Sequence, residues 1–302
     1  MRSYTAVRGP LVAMKLASFE LGGESRVGIV SGDELIDLVQ AAPDLPRDMV
    51  GVIAAWAGIE DRLRALVRTA KPHFEIAGVH LLAPVPKPQK ILAIGLNYAD
   101  HVAETGREPP REQMWFPKLV NAVNGPCDPI QLPKASAQVD YEAELVVVIG
   151  KRCRHVSKED APGVVFGYCA GNDVSVRDWQ FRTPQYMLGK SFDTHAPFGP
   201  WIVTADEIGD PHGLGIRTLV NGEIRQSSNT KHLIFNVFDQ IAHVSQALTL
   251  EAGDVIFTGT PGGVGLAMKP PCFLKAGDVV RVEIDRIGAL EAEIVPEPDA
   301  RG

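Results

Sequence analysis

Cysteine is scarce in this chain, and positive charge is in the minority. Four cysteines (Cys127, Cys153, Cys169 and Cys272) are scattered through 302 residues without any C-x-x-C spacing. That argues against a disulfide framework and against a zinc site, and fits free thiols in a reducing compartment. Lys and Arg number 30 against 37 Asp and Glu, giving a formal net charge of -7 and a pI near 5.6. A nucleic-acid partner therefore has no electrostatic support. Apolar runs are short: Leu145 to Ile149, among the best, falls far below the ~20 residues a bilayer span needs. No signal-peptide pattern opens the chain, and no repeat or low-complexity tract interrupts it. These absences point to a cytoplasmic protein that acts on a small molecule, with neither nucleic acid nor membrane as partner.

What is present reads as a tail (1–13), a small N-terminal α+β unit (14–83) and a larger unit (84–302). The boundary is the stiff linker Ala83-Pro84-Val85-Pro86-Lys87-Pro88. Helical spacing of apolar residues marks Pro46 to Ala70 and Ile234 to Thr249. Strand candidates are Ile91–Gly95, Ala143–Ile149, Val164–Asn172, Trp201–Thr204, Ile216–Val220, Val255–Thr258, Val279–Ile284 and Leu290–Ile294. Asn221-Gly222 between alternating residues signals a tight hairpin. Strands dominate without regular βαβ alternation, which predicts a mixed α+β, β-rich fold.

Several constellations carry chemistry. Glu142 and Glu144 lead into the buried strand Leu145 to Ile149 and point the same way, because strand side chains alternate faces. Ionised carboxylates in a dry interior need a counter-charge. A divalent cation that prefers oxygen (Mg²⁺, Mn²⁺ or Ca²⁺) would supply it, and so would Lys or Arg at a wet sheet edge. Asp173 ends the apolar run from Val164 and either delivers a third carboxylate or caps the short helix that Arg177 and Gln180 suggest. His101 and Glu104 share one helical face, the arrangement of a general base oriented by an acid, or of a surface pair. Lys190 follows a glycine in an apolar context, and is either a substrate contact or a solvated surface residue. The glycine-rich turn after Val255–Thr258 could present backbone N–H groups to an anion. Its glycine spacing is neither a dinucleotide fingerprint nor a P-loop.

Taken in order, these segments resemble the fumarylacetoacetate hydrolase family. The matching residues are Gly95-Leu96-Asn97-Tyr98 with His101 and Glu104; Asp140-Tyr141-Glu142-Ala143-Glu144-Leu145; and Asn172-Asp173 with Arg177, Asp178 and Gln180. They continue with Gly189-Lys190-Ser191-Phe192-Asp193, Val220-Asn221-Gly222-Glu223 with Gln226, Gly253-Asp254-Val255-Ile256 and Thr258-Gly259-Thr260-Pro261, and span roughly 86–295. The resemblance implies the family's β-roll catalytic fold, a homodimer, and Mg²⁺ or Mn²⁺ held by Glu142, Glu144 and Asp173, with Ca²⁺ as a stand-in in crystals. The apolar Ile91-Leu92-Ala93-Ile94 replaces an upstream Asp ligand of the larger eukaryotic hydrolases, which favours the smaller, three-carboxylate branch. Two other departures, Asn121 where Ser or Thr is frequent and Ala292 where many relatives carry Asn, leave the metal triad untouched.

The same resemblance implies a metal-dependent enzyme of 2-oxo acid catabolism. Hydrolysis of a C–C bond in an acylpyruvate-type diketo acid is the leading expectation. Oxaloacetate decarboxylation or tautomerisation, or 2-oxo acid hydration or isomerisation, is the alternative. In that reading His101 and Glu104 activate water, Lys190, Gln180 and Arg177 meet the oxyanion, and Gly259 and Thr260 hold the substrate carboxylate. The stretch from His101 to Trp115 would serve as a mobile lid.

Overall fold

The computed structural model describes residues 14–106 and 108–299, so the expected tail at 1–13 lies outside the described residues. A 12-stranded, mostly antiparallel sheet forms the spine. Its order is Phe74–Glu75, Glu34–Asp37, Glu24–Ser31, Lys15–Leu21, Ala196–Thr204, Val165–Asn172, Ala143–Ile149, Val255–Phe257, Ile91–Gly95 and Met114–Lys118. Two short strands, His80–Leu82 and Val123–Asn124, attach to the side of that path. A second sheet of five strands runs Glu223–Asn229, Gly215–Val220, Val279–Ile284, Gly288–Pro296 and Ile130–Leu132. The mixed, strand-rich fold expected from the sequence is the fold observed.

The Ala143–Ile149 strand is buried at all seven positions. Its side chains divide by parity, as the two-residue repeat of a strand requires. Leu145, Val147 and Ile149 pack with Ile216, Val282 and Leu290 of the second sheet and with Val237, Ile241 and Val244 of the helix Val237–Ala247. Val146 and Val148 pack on the opposite side with Phe166, Phe257, and Val52 and Ile53 of the helix Met49–Thr69. Residues 14–83 add their strands to the main sheet through the pairing of Lys15 and Leu16 with Val203 and Ile202. Among the described residues, no helix is long and apolar enough to cross a membrane.

Two expectations shift in detail. The second long helix starts at Val237 rather than near Ile234, because Phe235 is bonded through both its N–H and its carbonyl to the Asn97 side chain and Asn236 caps the helix. Residues 114–118 are a strand paired with Ile91–Gly95, although Pro117 lies within it. Proline survives there because this is the terminal strand in the sheet order.

Candidate active site

The site starts from a register. Ala143 pairs with Asn172 and Glu144 with Gly171 in the antiparallel ladder. The N–H of Asp173 donates to the Glu142 carbonyl at 2.9 Å, and the N–H of Glu142 donates to the Asn172 side chain at 2.9 Å. One end of that strand pair therefore carries three acids from two segments about thirty residues apart in the chain. Carboxylate oxygens of Glu142, Glu144 and Asp173 lie within 4.8 Å of one another, and all three residues are buried. Asp173 does not cap the Arg177–Gln180 helix, whose N-cap is Val176.

Basic side chains answer two of the three acids. Lys190 Nζ bridges Glu142 and Asp173 at 2.7 Å each, Lys118 Nζ lies 2.5 Å from Asp173, and Arg177 Nη1 lies 2.7 Å from Glu142. Among the described residues no Lys or Arg forms an ion pair with Glu144; its Oε2 accepts the N–H of Gly259 at 2.7 Å. The electrostatics follow this asymmetry. Burial works against charge on Glu142, but Lys190 and Arg177 outweigh it and hold the carboxyl at about 2. Burial drives Glu144 well above the usual carboxylate range, and the neighbouring charges of Asp173 and Glu142 drive it further. Lys118 is pushed down by burial, whereas Asp173 and Glu142 hold Lys190 up against the same penalty.

A cavity of about 350 Å³ opens onto these groups. His101, Glu104, Glu142, Glu144, Arg177, Gln180, Lys190 and Thr260 all line it. His101 and Glu104 sit on the helix Ala99–Thr105, and His101 Nδ1 is 2.7 Å from Glu104 Oε1. With Nδ1–H donated to that carboxylate, Nε2 is left as the basic nitrogen. Part of the cavity lining is apolar and aromatic, with Tyr186 in edge contact with Phe116 and Phe181, and with Met114 also on the lining; Lys190 Nζ lies 5.0 Å from the centre of the Phe116 ring. The stretch expected as a lid is held at both ends, by that helix and by the Met114–Lys118 strand; Arg107 within it is not among the described residues. Leu96, also on the cavity lining, has φ +54°, a left-handed backbone that a branched side chain rarely adopts.

All ten residues singled out from the sequence lie at or beside this cavity, but the glycine-rich turn behaves differently from expectation. Its N–H groups are engaged by the protein's own acids: Gly259 by Glu144, Gly263 by Glu104 (2.7 Å), and Gly265 and Leu266 by Asp140 (2.8 and 2.9 Å). Thr260 reaches the cavity, and its hydroxyl accepts from the buried Gln226 at 2.9 Å. Sequence reasoning gave no role to Lys118, Asp140 or Gln226. Asp140 and Gln226 were visible only as members of the matching family motifs, with no role attached.

An all-oxygen, buried triad with one acid lacking a cation suits a hard divalent ion, because Mg²⁺ and Mn²⁺ take carboxylate oxygen. Comparison with known proteins agrees in kind. The family model described as the C-terminal region of fumarylacetoacetate (FAA) hydrolase matches residues 90–295. Oxaloacetate tautomerase fahd2 of Xenopus laevis, named as mitochondrial, is 42% identical over 294 residues, covering 95% of this chain and 92% of the relative. The structure of maleylpyruvate hydrolase from Sphingobium sp. SYK-6, in complex with manganese(II) and pyruvate, superposes with a TM-score of 0.80 at 35% identity, over 94% of this chain and all of that one. A 2-hydroxyhepta-2,4-diene-1,7-dioate isomerase from Mycobacterium marinum superposes with a TM-score of 0.74 at 30% identity, over 95% of this chain and all of that one. The chain belongs to the fumarylacetoacetate hydrolase family, whose members among these relatives are enzymes.

Proposed function

We propose that this protein is a divalent-metal enzyme that interconverts the keto and enol forms of a 2-oxo acid of the oxaloacetate type. The observation that carries the reading is the convergence on one cavity of three buried carboxylates, one without a cationic partner, and a His–Glu pair. Glu142, Glu144 and Asp173 would hold Mg²⁺ or Mn²⁺. Bound there, the ion would act as a Lewis acid toward the 2-oxo group and offset enolate charge. His101 Nε2, with Nδ1 fixed by Glu104, is the group that takes a proton from the carbon beside the carbonyl and returns it. Lys190, Arg177 and Gln180 line the same cavity as donors for a developing oxyanion. Thr260 offers a further polar contact to the substrate.

Tautomerisation takes precedence over the hydrolysis expected from sequence because a curated relative at 42% identity bears that name. Hydrolysis of an acylpyruvate is the second reading. The same His101–Glu104 pair could deprotonate water, and the maleylpyruvate hydrolase shares the fold over all of its length. A dimer is part of the proposal, supported by the exposed apolar side chains of Leu119, Val120, Phe181 and Leu188.

Chelated protein should lose turnover and regain it with Mg²⁺ or Mn²⁺, and His101→Ala should lower the rate by about 10²-fold or more. The assay follows enol absorbance of oxaloacetate and of an acylpyruvate, with CO₂ and pyruvate measured in parallel. Enol loss without either product supports tautomerisation, and pyruvate with a carboxylic acid supports hydrolysis. Full turnover by rigorously metal-free protein would refute the metal role.

A further inference from the structure

We infer that Asp140 is a positioning residue that ties the glycine-rich turn to Arg177 and, through Arg177, to Glu142; the inference rests on the metal-site reading above. Asp140 is fully buried. Its Oδ1 accepts the N–H groups of Tyr141 (2.9 Å) and Gly265 (2.8 Å), and its Oδ2 accepts Leu266 N–H (2.9 Å) and Arg177 Nε (2.8 Å). Arg177 Nη2 lies 2.8 Å from the same Oδ2. The guanidinium therefore gives Asp140 one hydrogen bond, from Nε, and a close charge contact from Nη2, which has no hydrogen-bond partner among the described residues. The third nitrogen, Nη1, reaches Glu142 Oε1 at 2.7 Å and Gln180 Oε1 at 2.9 Å.

This division matters because an arginine prefers to grip a carboxylate with two parallel N–H groups. If it gripped Glu142 that way, it would also claim Oε2, the oxygen that Lys190 Nζ meets at 2.7 Å, and so compete with the lysine that bridges Glu142 and Asp173. Asp140 prevents this by taking the other edge of the fork, which leaves Arg177 one contact with Glu142. The same carboxylate anchors Gly265 and Leu266, so the wall formed by Val264, Leu266 and Ala267 is set in register with the acids. Gly265 fits only as glycine: a Cβ would lie 2.1 Å from the Cys272 carbonyl and 2.8 Å from Asp140 Oδ1. Orienting partners behind metal ligands commonly change metal affinity by about 10–100-fold when lost.

The test is a double-mutant cycle read by calorimetric titration of Mn²⁺ into chelated full-length protein, with thermal melts alongside. Asp140→Asn should weaken Mn²⁺ binding about tenfold or more. Arg177→Lys, which cannot span both carboxylates, should weaken it comparably, and Asp140→Asn should add little in the Arg177→Lys background. Asp254→Asn is the control for mere loss of a buried acid. Asp254 is equally buried but bonds Lys90 and Glu251, neither of which lines the cavity. It should lower the melting temperature and keep wild-type Mn²⁺ affinity. Folded Asp140→Asn with wild-type affinity, or a full penalty persisting in the Arg177→Lys background, would overturn the inference. If Asp140→Asn does not fold, Arg177→Lys decides alone, and unchanged affinity counts against. A wild-type protein that binds no Mn²⁺ at all would overturn the metal reading and this inference with it, and is told apart because the wild type itself fails.

Discussion

Two buried histidines show how a partner decides a residue's part. His101 has a carboxylate on one ring nitrogen and a cavity before it. His195 is fully buried; its Nε2 lies 2.8 Å from the Gln131 carbonyl, and Nδ1 has no partner. Burial, with Lys118 adding to it, pushes His195 down to about 4. The folded protein thus keeps this ring neutral where the unfolded chain would protonate it. The stabilisation is fully present above the unfolded value of about 6.5 and is lost as pH falls toward 4. Between pH 7 and pH 5 the loss from this one group should be about 2 kcal/mol. Urea melts at the two pH values should show it, and His195→Gln should shrink the difference; an unchanged difference would remove His195 as the cause. The acids were conspicuous in sequence because charge beside an apolar run is costly, whereas His101 and Lys190 stood out through the ordered family motifs. The roles of Lys118 and Asp140 were not, since their partners are set by packing between segments far apart in the chain.

At the scale of elements, the site depends on a register that no local pattern dictates. Parity along Ala143–Ile149 places Glu142 and Glu144 on one side, which the sequence shows. That Asn172 stands opposite Ala143 is fixed only by the ladder. Gly171, paired with Glu144, has room for nothing larger: a Cβ would lie 2.5 Å from Val146 Cγ2 and 2.8 Å from Phe257 Cε1. Helix ends were similarly half-legible. Apolar spacing revealed the helix ending at Ala247, but its start is set by Asn236, whose side chain accepts the N–H groups of Phe238 and Asp239 at 3.0 Å while Asp239 answers at the Asn236 N–H. Asn236→Ala should cost about 1 kcal/mol, and Asn236→Ser should recover most of it. Denaturant midpoints at constant m-value measure both. A silent Asn236→Ala would mean that packing of Val237, Ile241 and Val244 holds this helix end without the cap.

For the whole molecule, the question is whether residues 14–83 and the rest behave as one cooperative body. The sequence suggests a break at the proline-rich linker. The sheet runs across it, since Lys15–Leu21 pairs with Ala196–Thr204 as well as with Glu24–Ser31. One apolar cluster takes Leu16, Ile29, Val52 and Ile53 from before the linker and Val146, Phe166, Phe198 and Ile202 from after it. Trp56 meets Phe166 edge-on at 5.0 Å within that contact. Removing the first unit would bare those side chains and open the Ala196–Thr204 strand to stray pairing. We therefore expect one unfolding transition. Far-UV circular dichroism and tryptophan fluorescence should trace superimposable urea curves, and Trp56→Phe should shift both midpoints together. Residues 84–302 expressed alone should aggregate. Two resolved transitions, or a soluble and well-folded 84–302, would show that the linker separates independent domains despite the shared sheet. In that case the site, built wholly from residues after the linker, would stand without the first unit.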